Sequence, residues 1–342
     1  MFVDTPTRTA RKRWPAAFAG LLLAAVLAGC GGTEDSSTGD APADGQGGAF
    51  PVTVEHKYGT TEIPSAPQRV VTLGLSDQDA ALALGVKPVG AVDWFKERPY
   101  GKWPWTKELW GDTRPEIVGE RDEYDMEKIA ELNPDLIIAQ YSGMQQEQYD
   151  TLSQRWPVVA QPKGHENYQA PWQEMTRAIG AALGKADEAE QLITEIDQRF
   201  ARVREEHPEW AGKTVAVGEP YEPGKFSAFS PNDPKMVFLT EMGFTVDEEY
   251  KQAVGSQNVA DFSFERFDLV DVDRLVWLVG TPEVEQQLKA DPLYQKLAVS
   301  REDRDLFLPY ENPDIGAALS FNTVLSIPYA IDQVVPMLED VQ

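Results

Sequence analysis

The chain has little of three kinds of residue, and each shortage removes a class of function. It holds a single cysteine, Cys30, so an intrachain disulfide, a paired-cysteine metal site and a dithiol redox motif are all excluded. It holds three histidines, His56, His165 and His207. A receptor for bare zinc or manganese gathers several imidazoles and carboxylates at one point, and these three are too few and too scattered. Basic residues are also scarce: 31 Lys and Arg stand against 56 Asp and Glu, a formal charge of −25. That balance argues against nucleic acid or anionic lipid as a partner. Phosphate-cradling glycine loops and the Gly-x-Ser-x-Gly nucleophile elbow are missing, so no enzyme is indicated and no cofactor is expected. No apolar run approaches the ~20 residues that span a bilayer.

What is present starts at the amino terminus. Arg8, Arg11, Lys12 and Arg13 precede an apolar run from Ala16 to Leu27, and Leu27-Ala28-Gly29-Cys30 follows. This resembles a bacterial lipoprotein signal, which implies cleavage before Cys30 and acylation of its thiol. Two acyl chains hold a protein stably on a bilayer where one binds marginally. The expected address is therefore the outer face of the cytoplasmic membrane, lipid-anchored in the periplasm or cell-wall space. Residues 1–29 carry four basic and one acidic residue, so the chain beyond them has 27 Lys and Arg against 55 Asp and Glu, a formal charge of −28. Residues 30–49 are rich in Gly, Ser, Asp and Ala, a composition that cannot bury apolar surface, and are expected to be a flexible tether.

Beyond the tether, short apolar runs alternate with helical patterns, the mark of βα units around mainly parallel sheets. Strands are predicted at Val70 to Leu73, Val89 to Val92, Leu136 to Ala139 and Val158 to Ala160. Ser76 is placed as the N-cap of a helix reaching Leu84, with Asp77 and Asp79 as dipole-favoured charges in its first turn. From about Ala186 to His207, Ala189, Leu192, Ile193, Ile196, Phe200 and Val203 repeat with helical spacing. Such a helix is about 33 Å long. The βα pattern then resumes, with strands at Thr214 to Val217, Phe226 to Phe229 and Leu275 to Val279. The fold class is α/β: two lobes with central, mainly parallel sheets flanked by helices, joined by one long interlobe helix. The divisions are 50–170 for the first lobe, 171–210 for the linking helices and 211–342 for the second lobe.

Several blocks carry a family resemblance. Pro67-Gln68-Arg69-Val70-Val71-Thr72-Leu73 resembles an opening strand, and Leu84-Gly85-Val86-Lys87-Pro88-Val89-Gly90 the next turn and strand. The block from Met126-Glu127-Lys128-Ile129 through Asn133-Pro134-Asp135 to Ala139 is the most recognisable, and Phe262-Ser263-Phe264-Glu265 and Ala317-Ala318-Leu319-Ser320-Phe321 fit the second lobe. In this order they resemble the class III substrate-binding proteins of ABC importers for ferric siderophores, haem and cobalamin, closest to the iron-siderophore receptors. The resemblance implies a monomer that binds a ferric siderophore and delivers it to an ABC permease. It also implies that one glutamate per lobe, Glu127 and Glu265, docks into permease arginines, which is physically reasonable for two separated carboxylates.

Ligands of open α/β sheets bind beyond the carboxyl ends of strands. Aromatic residues gather there: Trp94 after one strand, Tyr141 after another, Tyr168 before the linking helices and Tyr221 after the strand ending at Val217. These four are the expected aromatic wall of the interlobe cleft, and such walls suit a bulky, partly apolar chelate. Phe226 and Phe229 lie on or beside a strand; one belongs to the core, and Phe229 is assigned to the cleft. Trp103, Trp105 and Trp110 read as plugs holding a long loop onto the body, and Trp277 as core. The cations available to the cleft are few: Lys96, Arg98 and Arg121, with none placed there from the second lobe. Arg121 lies either beside the ligand or on the surface against Glu120 or Asp122. Few cations disfavour a strongly anionic triscatecholate complex and favour a hydroxamate or mixed-type Fe(III) siderophore, with haem, cobalamin or ferric catecholate as alternatives. Haem would take Tyr141, Tyr221 or His165 as axial ligand.

Overall fold

The computed structural model describes residues 50–94 and 103–341. The signal segment 1–29, Cys30, the tether 30–49 and the cations Lys96 and Arg98 lie outside the described residues. The described residues pack as one compact unit that contains all three sheets.

An antiparallel hairpin, β1 (Val52–His56) and β2 (Gly59–Ile63), opens the described chain. The first sheet is then built from β3 (Val70–Thr72), α1 (Asp77–Ala83), β4 (Gly90–Asp93), α2 (Lys107–Trp110), β5 (Glu116–Glu120), β6 (Glu123–Tyr124), α3 (Met126–Leu132), β7 (Leu136–Ala139), α4 (Gln146–Ser153) and β8 (Val158–Ala160). Its order is β6-β5-β4-β3-β7-β8, parallel except for β6. Leu136, Ile137, Ile138 and Ala139 are fully buried, as befits a strand covered on both faces by helices. Helix α3 starts where Asp125 accepts the Lys128 N–H and stops at Asn133, which takes a left-handed φ of 43° before Pro134. The chain winds outward from β3 through β4 to β5, then returns to the other side of β3 for β7 and β8. That reversal opens a crevice at the carboxyl ends of β3, β4 and β7.

Helices α5 (Trp172–Ala182) and α6 (Ala186–Glu206) carry the chain to the second sheet. Ala189, Ile193, Ile196, Phe200 and Val203 of α6 are buried, which is the periodic stripe expected from the sequence. Phe200 meets Phe238 edge-on at 5.7 Å, so α6 also packs on the second lobe.

The second sheet comprises β9 (Val215–Glu222), β10 (Lys225–Phe229), α7 (Pro234–Glu241), α8 (Glu248–Val254), β11 (Val259–Ser263), β12 (Arg274–Val279), α9 (Pro282–Ala290), α10 (Ala298–Arg301), β13 (Asp305–Pro309), α11 (Ile315–Phe321) and α12 (Ser326–Glu339). Its order is β11-β10-β9-β12-β13; β9, β12 and β13 run parallel, while β10 is antiparallel to both its neighbours. Trp277 is fully buried among Phe226, Phe267 and Tyr294, and its indole N–H donates to the Tyr294 hydroxyl at 2.9 Å. Gly218 makes room for it: a Cβ there would stand 2.2 Å from the Trp277 ring. Two sequence expectations are corrected. Strand β9 continues five residues past Val217, so Tyr221 lies within the strand and not after it. Ser76 makes no capping bond with its side chain.

Candidate functional site

Asp77 explains why the Ser76 cap is dispensable. Its carboxylate is buried and accepts the backbone N–H groups of Gln140 (2.7 Å) and Tyr141 (3.0 Å), joining the start of α1 to the end of β7. Burial raises it to about 6 despite these bonds. Asp77 stands in the first turn of α1 as expected, and its buried carboxylate also serves as a structural brace. Asp79 is buried too; one of its oxygens accepts from the Thr323 hydroxyl (2.6 Å) and the Trp105 indole N–H (3.0 Å). Burial raises its carboxyl to about 7, with Asp77 adding to the effect. A first-lobe helix is thus tied to the turn between α11 and α12.

The brace sets Tyr141 at the mouth of the crevice. Its ring packs edge-on against Trp94 (6.1 Å) and Tyr168 (5.4 Å), and Trp94 in turn lies 5.2 Å from Phe321 of α11. Arg121 and Asp122 form the two-residue turn between β5 and β6, with Arg121 at a left-handed φ of 51° and exposed. Asp122 accepts the Gly143 N–H at 2.8 Å and the Tyr168 hydroxyl. Gly143 has to be small: a Cβ would meet Asp122 at 2.6 Å and the Tyr168 oxygen at 2.8 Å. Among the described residues Arg121 forms no ion pair, although its charge acts on the phenols of Tyr168, Tyr141 and Tyr310.

Opposite this wall stands Tyr310, the residue after β13, half-buried and donating its hydroxyl to Ser320 at 3.2 Å. Beside it lies the start of α7. Asp233 caps that helix, accepting the Lys235 N–H at 3.0 Å, and its carboxylate also holds Lys235 Nζ (2.9 Å) and Asn258 Nδ2 (2.9 Å). The Lys235 ammonium sits 4.0 Å from the Phe229 ring centroid, a cation–π contact in a buried setting. Burial pushes the phenols of Tyr141 and Tyr310 well above the ordinary tyrosine range. Asp233 adds to the rise at both, and Glu219 adds to it at Tyr310. The two lobes therefore place Tyr141, Tyr168, Arg121, Tyr310, Asp233 and Glu219 around one space.

Trp94, Tyr141, Tyr168 and Arg121 are brought together; Tyr221 and Phe229 are not part of that group. Tyr221 is 42% exposed on the outer reach of β9, where it lines an open pocket of about 300 Å³ with Pro220, Phe264 and Leu288. Phe229 is buried and one face is taken by Lys235, while Phe226 is the partner that belongs to the core. Glu127 and Glu265 are both exposed, one per lobe, at the start of α3 and just after β11. Trp110 is fully buried, and Trp103 packs on Ala317 and Phe321 while stacked on Trp105 at 5.1 Å, as loop plugs should be. His56 bonds Thr61, His165 lies against Glu174, and His207 stacks on Trp210; the three stay apart.

The sequence reading missed Lys235, which corrects the expectation of no second-lobe cation. Its signal was available: Asp233-Pro234-Lys235 is a helix start with an N-cap and proline at N1, which would have placed Lys235 at the head of α7. Tyr310 obeys the same aromatic-after-strand rule that singled out Trp94 and was passed over. Asp122 and Gly143 left no local signal, because their roles depend on a contact 21 residues apart in sequence.

A two-lobed α/β chain with an aromatic interlobe cleft defines a class of extracytoplasmic binding protein, and comparison with known proteins agrees. The model of the family described as periplasmic binding protein matches residues 70–309, and the chain belongs to that family. It is 31% identical over 234 residues to a protein of Bacillus subtilis (strain 168) described as a probable siderophore-binding lipoprotein, covering 68% of this chain and 67% of that one. Among solved structures it is similar to a periplasmic solute binding protein from Mycobacterium smegmatis str. MC2 155, with TM-score 0.75 and 35% identity over 85% of this chain and 98% of that one. It is also similar to Streptococcus pneumoniae TIGR4 PiaA in complex with ferrichrome, with TM-score 0.73 and 28% identity over 84% and 98% of the two chains. The fold is that of the class III members, and the match defines a binding protein, not an enzyme. No helix among the described residues is long and apolar enough to cross a membrane.

Proposed function

We propose that this chain captures a ferric siderophore of hydroxamate or mixed type in its interlobe cleft and delivers it to an ABC permease, with Cys30 carrying a lipid anchor on the outer face of the cytoplasmic membrane. The observation that carries this reading is the charge of the cleft. Its walls are aromatic, Trp94, Tyr141, Tyr168 and Tyr310, which suits a bulky organic chelate. Of the two described cations there, Lys235 is already neutralised by Asp233, and Arg121 shares the space with the carboxylates of Asp122 and Glu219. Among the described residues the cleft has no surplus of positive charge to offset a strongly anionic triscatecholate complex. A neutral or cationic hydroxamate complex meets no such obstacle. The ferrichrome bound by the pneumococcal protein and the siderophore-binding description of the Bacillus protein support the ligand class. Glu127 and Glu265 are the proposed permease contacts, and the protein works as a monomer.

The test is tryptophan quenching of the purified protein. Ferrichrome is expected to quench at sub-micromolar concentration, with zinc and manganese inert. A clear preference for haem or for a ferric catecholate would overturn the hydroxamate assignment.

A further inference from the structure

We infer that Glu219 selects, among ferric siderophores, those that present an ammonium or comparable N–H donor to the second-lobe wall of the cleft. The inference rests on the siderophore reading above and sharpens it from chelate class to a particular group on the ligand.

Glu219 lies on β9 opposite Ser227 of β10, one residue past Gly218, whose Cα face is filled by Trp277. Alternation along the strand therefore turns Glu219 to the other face, away from the aromatic core and towards α7 and Tyr310. It is half-buried, and partial desolvation holds its carboxyl above the ordinary range. The other second-lobe polar groups around it are already engaged. Asp233 is saturated by Lys235 and Asn258, Tyr310 donates to Ser320, and Lys235 is held 2.9 Å from Asp233 and 4.0 Å from the Phe229 ring centroid. The attraction of Lys235 reaches Glu219, yet Lys235 makes its only ion pair with Asp233. The Glu219 side chain has neither a hydrogen bond nor an ion pair among the described residues.

A half-buried carboxylate is only partly solvated by water and gains when a donor reaches it. No described second-lobe side chain donates to it, so the wall is completed by a donor from the ligand. A positively charged tail is the best match, because a charge-assisted bond is roughly twice as strong as a neutral one. The same carboxylate disfavours a chelate that turns negative oxygens to this wall, which is selection by repulsion as well as attraction.

The experiment is a two-by-two cycle. Ferric desferrioxamine carries a free ammonium tail, and its N-acetyl derivative has the same iron-binding groups without the charge. Both are titrated against the purified wild-type protein and Glu219→Gln by tryptophan quenching, with melting temperatures recorded for both proteins. Wild type is expected to bind the ammonium form about tenfold more tightly than the acetylated form, a ratio that collapses to about one in Glu219→Gln. The comparison within wild type needs no folded variant. Equal wild-type affinity for the two ligands, or a tenfold ratio that survives in Glu219→Gln, overturns the assignment of Glu219 while leaving the siderophore reading in place. Failure of wild type to bind either ferric chelate or ferrichrome overturns the siderophore reading itself.

Discussion

Single residues in this protein do work that their neighbours in sequence do not announce. Asp77 and Asp79 sit two positions apart at a helix start, where the dipole favours acids. In the fold both are buried, and Asp79 ties α1 to Thr323 and Trp105. The difference arises because Asp79's partners lie 26 and 244 residues away, out of reach of any local pattern. A pH signature follows. The carboxyl of Asp79 stands at about 7 in the folded protein against 3.8 when unperturbed. A raised folded value means that the native state binds more protons than the unfolded chain between those limits, so this group favours folding most in acid and loses that contribution as pH rises through about 7. Asp77, raised to about 6, acts in the same direction over a lower window. Wild type should therefore gain stability relative to Asp79→Asn on going from pH 7.5 to 5.5, by about 1 to 2 kcal/mol. Urea unfolding of both proteins at the two pH values measures the difference, and identical pH responses would show that Asp79 is ionised throughout.

At the scale of elements, helices and buried strands were legible and their surroundings less so. Leu136-Ile137-Ile138-Ala139 reads as a covered parallel strand, and it is one. The α6 stripe was visible because five of its six apolar positions are buried, with Leu192 half-buried. Tyr221 was misjudged because β9 outruns its apolar segment: Gly218 to Glu222 continue the ladder opposite β10 without the hydrophobic alphabet that marks a strand. The cleft's first-lobe wall could be named from aromatics after strands, whereas Asp233, Lys235 and Glu219 of the other wall needed the packing of α7 against β9. The α6 connection also limits motion. A continuous helix resists the wide bending that flexible crossover strands allow, and the lobes are further held by Asp79–Thr323 and by Trp172 and Gln173 on Glu241. Small-angle scattering should show the radius of gyration of free and ferrichrome-loaded protein differing by less than about 1 Å. A large compaction on loading would mean that these ties break.

For the whole molecule, capture and delivery should be separable. Glu127 and Glu265 are exposed and stand on different lobes. Reversing either, Glu127→Lys or Glu265→Lys, should leave siderophore affinity within about twofold while lowering uptake into cells tenfold or more, since a lysine facing an arginine opposes docking. Tyr141→Ala should do the opposite in the binding assay. Loss of ligand affinity in the purified charge-reversal proteins would remove the docking role.

The stacked indoles of Trp103 and Trp105, 8° from coplanar and wedged edge-on against Phe321, have an optical consequence. Two parallel chromophores so close share their excitation, and the circular dichroism they generate depends on their mutual angle. Because Trp105 is bonded to Asp79 and both rings lean on α11, the pair straddles the seam between the lobes. Its dichroic band reports the set of that seam, while on the proposed reading the emission of Trp94, in contact with Tyr141, would report occupancy of the cleft. One unlabelled sample thus carries two separate optical channels, one for lobe geometry and one for cargo.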